Sequence, residues 1–318
     1  MTWKKLVASL FLALLVAAGA VHLRATARER AAEAAFPPEG QFVTVDGLRV
    51  HAVVAGSGPD LVLIHGSSGN TRDFTFSLLD KLSARYRVIV FDRPGLGWSD
   101  RLPRGGESIS DQAAHLRKAA RALGADAPVV LGQSYGAAVA LAWALDAPDS
   151  LAAVVNLSGP SHPWQDPLPG FYRITAHPVG AALAVPLITA FVSGARVASE
   201  VAEVFAPQSM PEGYADRIGT PLTLKRSALR ANATHRATLK AEITAMAPRY
   251  GDFPVPLEIV HGDMDTTVDL SLHAGQMVTA TDMARLTVLP GIGHMPQHVA
   301  QGAVIAAIDR AAARAGLR

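Results

Sequence analysis

Val129-Val130-Leu131-Gly132-Gln133-Ser134-Tyr135-Gly136-Ala137-Ala138 sets a serine between two glycines where an apolar strand gives way to an Ala-rich helix. The run from Pro128 to Leu131 reads as a buried parallel strand, and Ala137 to Leu145 as a helix that ends before Pro148. A side chain at the apex of such a turn sits in a strained backbone, and the adjoining strand and helix leave room only for glycine two residues to either side. The turn lifts the Ser134 hydroxyl above the sheet and aims the first amides of the helix at whatever the oxygen attacks. Gly-x-Ser-x-Gly alone is a weak pattern in a chain with 27 Gly, so its strand-to-helix setting carries the reading.

A nucleophilic serine needs a base, an orienting acid and donors for an oxyanion. Downstream, Leu257 to Val260 is strand-like and opens into His261-Gly262-Asp263-Met264-Asp265, and Leu286 to Leu289 opens into Pro290-Gly291-Ile292-Gly293-His294. Active sites of open parallel sheets lie beyond the carboxyl ends of the strands, so these positions converge with Ser134 on one edge. Upstream, Leu61 to Ile64 is another short strand, followed by the small-residue loop His65-Gly66-Ser67-Ser68-Gly69-Asn70. The expected oxyanion donors are the amides of Ser67 and of Tyr135.

With these landmarks and Phe91-Asp92-Arg93-Pro94-Gly95-Leu96-Gly97-Trp98-Ser99, the chain resembles the α/β-hydrolase fold family, in the family's order and from about Gln41 onward. The resemblance is closest to lidded serine hydrolases of the esterase and haloperoxidase-like branch. It implies Ser134 as nucleophile, His294 as general base, Asp265 as orienting acid, and Ser67 and Tyr135 as oxyanion donors. Asp265 fits the family's Gly-x-x-Asp pattern after Gly262, whereas Asp263 reads as a turn residue. His298 is expected in a closing helix from about Gln297 to Ala313, solvated or facing a groove. His65 and His261 are expected to hydrogen-bond loops, and Asp92 and Arg93 to brace the oxyanion loop.

The order of elements predicts an α/β fold. Gln41 to Val45 and Leu48 to Val54 form an antiparallel pair around Asp46-Gly47. Strands at Leu61–Ile64, Arg87–Phe91, Val129–Leu131, Ala153–Leu157, Leu257–Val260 and Leu286–Leu289 complete a mostly parallel eight-stranded sheet with helices on both faces. Ser110-Asp111 is expected to cap the helix before the nucleophile's strand. Residues 161–252 lack a convincing strand and are expected to be a helical cap, between core segments 36–160 and 253–318. The resemblance implies that such a cap shapes the substrate pocket, with Phe171, Tyr172, Phe205, Met210 and Tyr214 as candidate lining. Val179 to Val192 is apolar and interrupted by Pro186; burial is favoured over a lipid-facing surface. Asn232-Ala233-Thr234 matches a glycosylation sequon.

Residues 1–35 form a separate device. Leu6 to Leu23 carries no Asp, Glu, Lys or Arg, and as a helix would reach about 27 Å against a hydrocarbon core of about 30 Å. An uncleaved single-pass anchor, followed by a charged linker from Arg24 to Glu33, is favoured over a signal peptide cut near Ala18-Gly19-Ala20. The catalytic part is expected on the exported side. Lys4, Lys5, Arg24, Arg28 and Arg30 against Glu29 and Glu33 give this segment +3. The whole chain is +2, which leaves −1 for the remainder, so the sequence pI of about 9.0 does not signal a nucleic-acid partner. The 318 residues contain no cysteine, which excludes disulfides and thiolate chemistry. No His or Asp spacing suggests a metal, and the mechanism requires no cofactor.

The expected activity is hydrolysis of a small, apolar carboxylic ester or related acyl substrate through a covalent acyl-enzyme. Perhydrolysis, carbon–carbon bond hydrolysis and acyl transfer to an alcohol use a similar triad. A membrane-tethered binding module without turnover is the alternative from another class.

Overall fold

Alternation between sheet and helix decides where the chemistry sits. The structure, a computed structural model, describes residues 2–103 and 105–317. Its centre is an eight-stranded sheet built from β1 (Gln41–Val45), β2 (Leu48–Ala55), β3 (Asp60–Ile64), β4 (Arg87–Phe91), β5 (Val129–Gln133), β6 (Ala153–Leu157), β7 (Leu257–Gly262) and β8 (Ala284–Leu289). The spatial order is β1-β2-β4-β3-β5-β6-β7-β8; β2 pairs antiparallel with both β1 and β4, and every pairing from β4 to β8 is parallel.

The inner strands are apolar on both faces because helices cover both. Successive side chains point to opposite faces, so Val62, Ile64, Ile89 and Phe91 enter one core, while Leu61, Leu63, Val88 and Val90 enter the other. Among the helices introduced before β6 are α1 (Trp3–Ala35), α2 (Arg72–Thr75), α3 (Leu78–Ser83), α4 (Ile109–Ala122) and α5 (Tyr135–Asp146). The first core takes Leu116 of α4 and Leu141 of α5; the second takes Leu78 and Leu82 of α3. Helix α5 is buried from Tyr135 to Ala144, which explains its almost wholly apolar sequence. The cap of α4 is Ser108, not Ser110: its hydroxyl accepts from the Asp111 amide while the Asp111 carboxylate accepts from the Ser108 amide.

Between β6 and β7 the chain leaves the sheet as α6 (Gly170–Ala176), α7 (Pro178–Phe191), α8 (Gly194–Val204), α9 (Tyr214–Arg217), α10 (Thr220–Thr223) and α11 (Arg226–Met246). After β7 come α12 (Gln276–Ala280), α13 (Pro296–Val299) and α14 (Gln301–Arg314). Helix α14 closes the second core with Val304, Ala307, Ile308 and Ala311; Ile308 is wholly buried, worth about 1.5–3 kcal/mol relative to exposure.

Two expectations need correction here. The stretch from Arg24 to Glu33 is not a linker: α1 runs unbroken to Ala35, with Ala25 and Ala32 buried. Ion pairs Glu29–Arg226 and Glu33–Lys225 fasten it to the start of α11. Alanine, glutamate and arginine are good helix formers, so the charged composition continues the helix instead of ending it. The run from Val179 to Val192 is buried only in part: Val185, Thr189 and Ala190 face inward, and much of the rest faces outward. Pro186 lies inside the continuous helix α7, and Val179, Leu183, Leu187 and Phe191 are between 48% and 66% exposed.

Candidate active site

Strand β5 ends at Gln133, and Ser134 turns the chain into α5 with φ 51° and ψ −120°. A non-glycine residue in that region costs on the order of 1–3 kcal/mol, held by the surrounding structure. The turn is fixed from below by the Ser134 amide, which donates to Leu157 O of β6 at 2.9 Å. Glycine is required on both sides by close approach: a β-carbon on Gly132 would collide with the carbonyl of Gly136, and one on Gly136 with the carbonyl of Ile64.

The chain then brings an acid and a histidine to the same edge. Asp265 follows β7, and its Oδ1 accepts from the amides of Thr267 and Val268 at 2.8 and 2.9 Å. Its Oδ2 lies 2.7 Å from Nδ1 of His294, which stands in the loop after β8. Burial pushes the Asp265 carboxyl up, but hydrogen bonds from His261 and His294 outweigh it and hold the group well below the ordinary range. An ionised carboxylate only accepts, so His294 carries its proton on Nδ1 and presents a free lone pair at Nε2. Ser134, Asp265 and His294 are 8%, 9% and 4% exposed, so the edge is covered. Gln133 Nε2 donates to His294 O at 3.3 Å, joining the His294 loop to the residue before Ser134. Among the described residues no hydrogen bond joins Ser134 Oγ to the His294 ring; such bonds are often long without substrate and tighten on binding.

The loop after β3 lies against Ser134, since a β-carbon on Gly66 would sit 3.2 Å from Ser134 Cβ. Its orientation is set by Arg93, which is wholly buried with no carboxylate partner among the described residues. Arg93 donates Nε–H to His65 O and Nη2–H to Gly66 O, each at 3.0 Å, and its amide donates to His65 Nε2. In a trans peptide the N–H points opposite the preceding C=O. Drawing the Gly66 carbonyl toward Arg93 therefore turns the Ser67 amide the other way. The Tyr135 amide, at the first position of α5, has no partner within its own helix. The guanidinium also lies over the Tyr135 ring, 4.2 Å from its centre. Burial lowers the Arg93 guanidinium to about 10, and burial together with Arg93 lowers His65 to about 4, so the ring stays neutral while Nδ1 bonds Gly66 O.

The other histidines and acids fall out as follows. His261 Nε2 reaches Val268 O at 2.9 Å and Asp265 Oδ2 at 3.2 Å, so Asp265 faces two rings, a feature the spacing did not reveal. Asp263 accepts from the Gly291 amide, a loop role. His298 is neither solvated nor in the long closing helix. It stands in α13 with its side chain buried, Nε2 2.8 Å from Asp73 Oδ1, and the same oxygen accepts from Tyr214 OH at 2.5 Å. This knot was missed because its members are far apart in sequence, and Asp73 carried no local motif.

Of the five candidate lining residues, Phe205, Met210 and Tyr214 gather in one cluster with Ile218 and Met295, the residue after His294. Tyr172 stacks edge-on with Phe171 and under the Arg236 guanidinium, away from that cluster. Phe171 is 47% exposed on the outer surface, so it does not line an interior pocket; the short helix α6 turns it outward. Asn232 of the sequon is buried, accepting from the Ser68 amide and donating to Ser68 Oγ, which leaves no access for a glycan.

A family model for the alpha/beta hydrolase fold matches residues 59–301. An uncharacterised protein of Mycobacterium tuberculosis is 28% identical over 271 residues, spanning 82% of this chain and 77% of its own length. Among solved structures, an alpha/beta hydrolase fold protein from Burkholderia ambifaria superposes with a TM-score of 0.69 at 22% identity, covering 85% of this chain and 96% of that one. A membrane phospholipase A, a bacterial virulence factor, superposes with a TM-score of 0.62 at 20% identity over 97% of this chain and 99% of its own, a span that takes in α1.

Proposed function

Because the chain belongs to the α/β-hydrolase fold family, we propose that it is a serine hydrolase that cleaves a carboxylic ester through Ser134, His294 and Asp265. The observation that carries this reading is the 2.7 Å contact between His294 Nδ1 and Asp265 Oδ2 at the edge where Ser134 occupies its strained turn.

As Ser134 Oγ attacks the ester carbonyl carbon, its proton passes to His294 Nε2, and the carbonyl electrons move onto oxygen. The Ser67 and Tyr135 amides stabilise that oxyanion, and Asp265 stabilises the imidazolium. The carbonyl re-forms, the alcohol leaves with the proton from His294, and an acyl-serine remains. Water then attacks the acyl carbon, giving its proton to His294; collapse releases the acid and returns the proton to Ser134 Oγ. The helices of residues 161–252 act as the cap that excludes bulk water, and within it Phe205, Met210 and Tyr214, on the His294 side, select the acyl group. Helix α1 serves as a single-pass anchor, with the catalytic body placed on the exported side; its exposed apolar stretch and the docking of residues 24–35 onto the body support the anchor.

A fluorophosphonate applied to the full chain in detergent tests the chemistry. An adduct mapped to Ser134, absent in Ser134→Ala, is the expected result, with ester turnover in that variant lower by on the order of 10⁴-fold or more. A folded protein that forms no adduct on Ser134 overturns the reading and leaves a binding module.

A further inference from the structure

The α6–α7 pair exposes apolar surface that a water-facing element does not carry. From Pro167 to Ala195 the chain has no acidic residue, and Arg173 is its only full charge. Val179, Leu183, Leu187 and Phe191 recur every four residues, so they share one face of α7, opposite the buried Val185 and Thr189; Ala190, on the stripe's own side, is buried at the end where Arg24 of α1 bonds its carbonyl. Across the 110° bend to α6, Phe171 and Ile174 extend the same apolar character. The next helix, α8, shows the contrast: it is amphipathic, with an exposed Arg196–Glu200 pair.

The end of this stripe is tied to α1 at a particular place. Arg24 is the first charged residue after Leu6 to Leu23. Its Nε donates to Ala190 O at 2.8 Å, its guanidinium lies 5.3 Å from the centre of the Phe191 ring, and Arg28 donates to Val192 O at 2.6 Å. The exposed apolar surface of α1 therefore passes into that of α7 where α1 emerges from its apolar stretch. Helix α7 has 14 residues, about 21 Å, which is too short to cross a hydrocarbon core of about 30 Å. Its length and one-sided exposure suit a helix that beds about 5–10 Å into the headgroup boundary.

We propose that the α6–α7 pair is a second membrane contact, an interfacial one, seated in the bilayer face through which α1 enters. The inference rests on the anchor and hydrolase readings above and adds a substrate class: an acyl ester resident in the bilayer. The route from stripe to site is short. Arg230 of α11 bonds Ala181 O of α7, and Asn232, two residues further on, bonds Ser68 of the oxyanion loop. A cap held at the lipid surface by this pair opens toward acyl chains instead of toward dissolved solutes.

The chain has no cysteine, so single labels are specific. Full-length protein carrying Leu10→Cys, Leu183→Cys or Arg121→Cys, each bearing an environment-sensitive dye, is reconstituted in phosphatidylcholine–phosphatidylglycerol vesicles containing spin-labelled lipid. The expected result is quenching at residues 10 and 183 of at least about twofold relative to residue 121. Quenching at 10 without quenching at 183 overturns the second contact and leaves the anchor standing; absence at both overturns the anchor as well. A dye at 183 shielded from water, unquenched by lipid and self-quenching as protein density rises means a second copy covers the face, which also overturns the proposal. For the substrate class, Leu183→Ser/Leu187→Ser is expected to lower turnover of vesicle-borne phospholipid at least about tenfold while a soluble short-chain ester is cleaved as before. Equal change on both substrates, or none, overturns the class. Fluorophosphonate labelling of the same samples reports on the hydrolase reading separately.

Discussion

Ser134 has a backbone conformation that its own side chain disfavours, and the strain is held by glycines that cannot accept a β-carbon and by an amide bond to β6. The serine and its glycines were legible because they lie within five residues, and a local pattern needs no knowledge of contacts, whereas the bond to β6 required the fold. Asp265 and His294 were legible for a related reason: each follows a strand whose end the apolar run marks. The work of Arg93 was only partly legible. Its turn suggested a brace, but that the guanidinium holds two successive carbonyls of the loop after β3 requires the fold. Arg93→Met removes those two bonds and a third to Gln112 Oε1 while keeping the apolar stem; no carboxylate is left unpaired, and the cost is about 1–3 kcal/mol for each buried acceptor that loses its donor. The expected effect is a fall in kcat of on the order of 10²-fold, with KM little changed, as for loss of an oxyanion donor. Arg93→Lys does not restore it, because an ammonium lacks the fork that reaches both carbonyls. Steady-state kinetics on a soluble ester checks both variants, and an unchanged kcat removes Arg93 from the positioning of the loop.

At the scale of elements, all eight strands could be read from short apolar runs, whereas the helices outside the sheet were read less well. Apolar composition gave α7 its helix but not its environment, because burial depends on what the rest of the chain places against it. Charge composition misled at residues 24–35, where Glu29 and Glu33 meet Arg226 and Lys225 across a large sequence gap. The same gap hid the Tyr214–Asp73–His298 knot, which ties the segment before α10 to α2 and α13. In that knot burial pushes the Asp73 carboxyl up, but the bonds from His298 and Tyr214 prevail and lower it, so Tyr214 donates to a carboxylate. Tyr214→Phe therefore costs about 1.5–3 kcal/mol. Limited proteolysis is expected to cut residues 161–252 faster while the sheet persists; an unchanged digestion pattern means the knot does not fasten the insertion.

The whole molecule carries several buried neutral histidines, and their sum sets its response to acid. Burial and Arg93 lower His65 to about 4, burial lowers His273 to about 4, and burial with Arg93 lowers His235. In the unfolded chain these rings titrate near 6.5. Between those values the unfolded state binds more protons, so stability falls as pH falls through the window, by at most about 1.4 kcal/mol per pH unit for each ring. Asp265 and Asp73, with depressed carboxyls, add stability above the unfolded value of about 3.9 and lose it below. Urea midpoints are expected to hold steady above about pH 7 and to drop steadily below about pH 6.5; a midpoint that stays flat to pH 4.5 contradicts the neutral-histidine account. Finally, α1 is one helix of 33 residues, about 50 Å long, with its last third clamped to the body. A tether made this way has no slack, so it transmits phase as well as position. Each residue added between Leu23 and Arg24 turns the body by about 100° about the helix axis and raises it by about 1.5 Å. With α1 as the proposed anchor, the register of this single helix chooses the azimuth at which the body faces the bilayer, a choice that lengthening the segment by whole turns preserves and that adding two residues reverses.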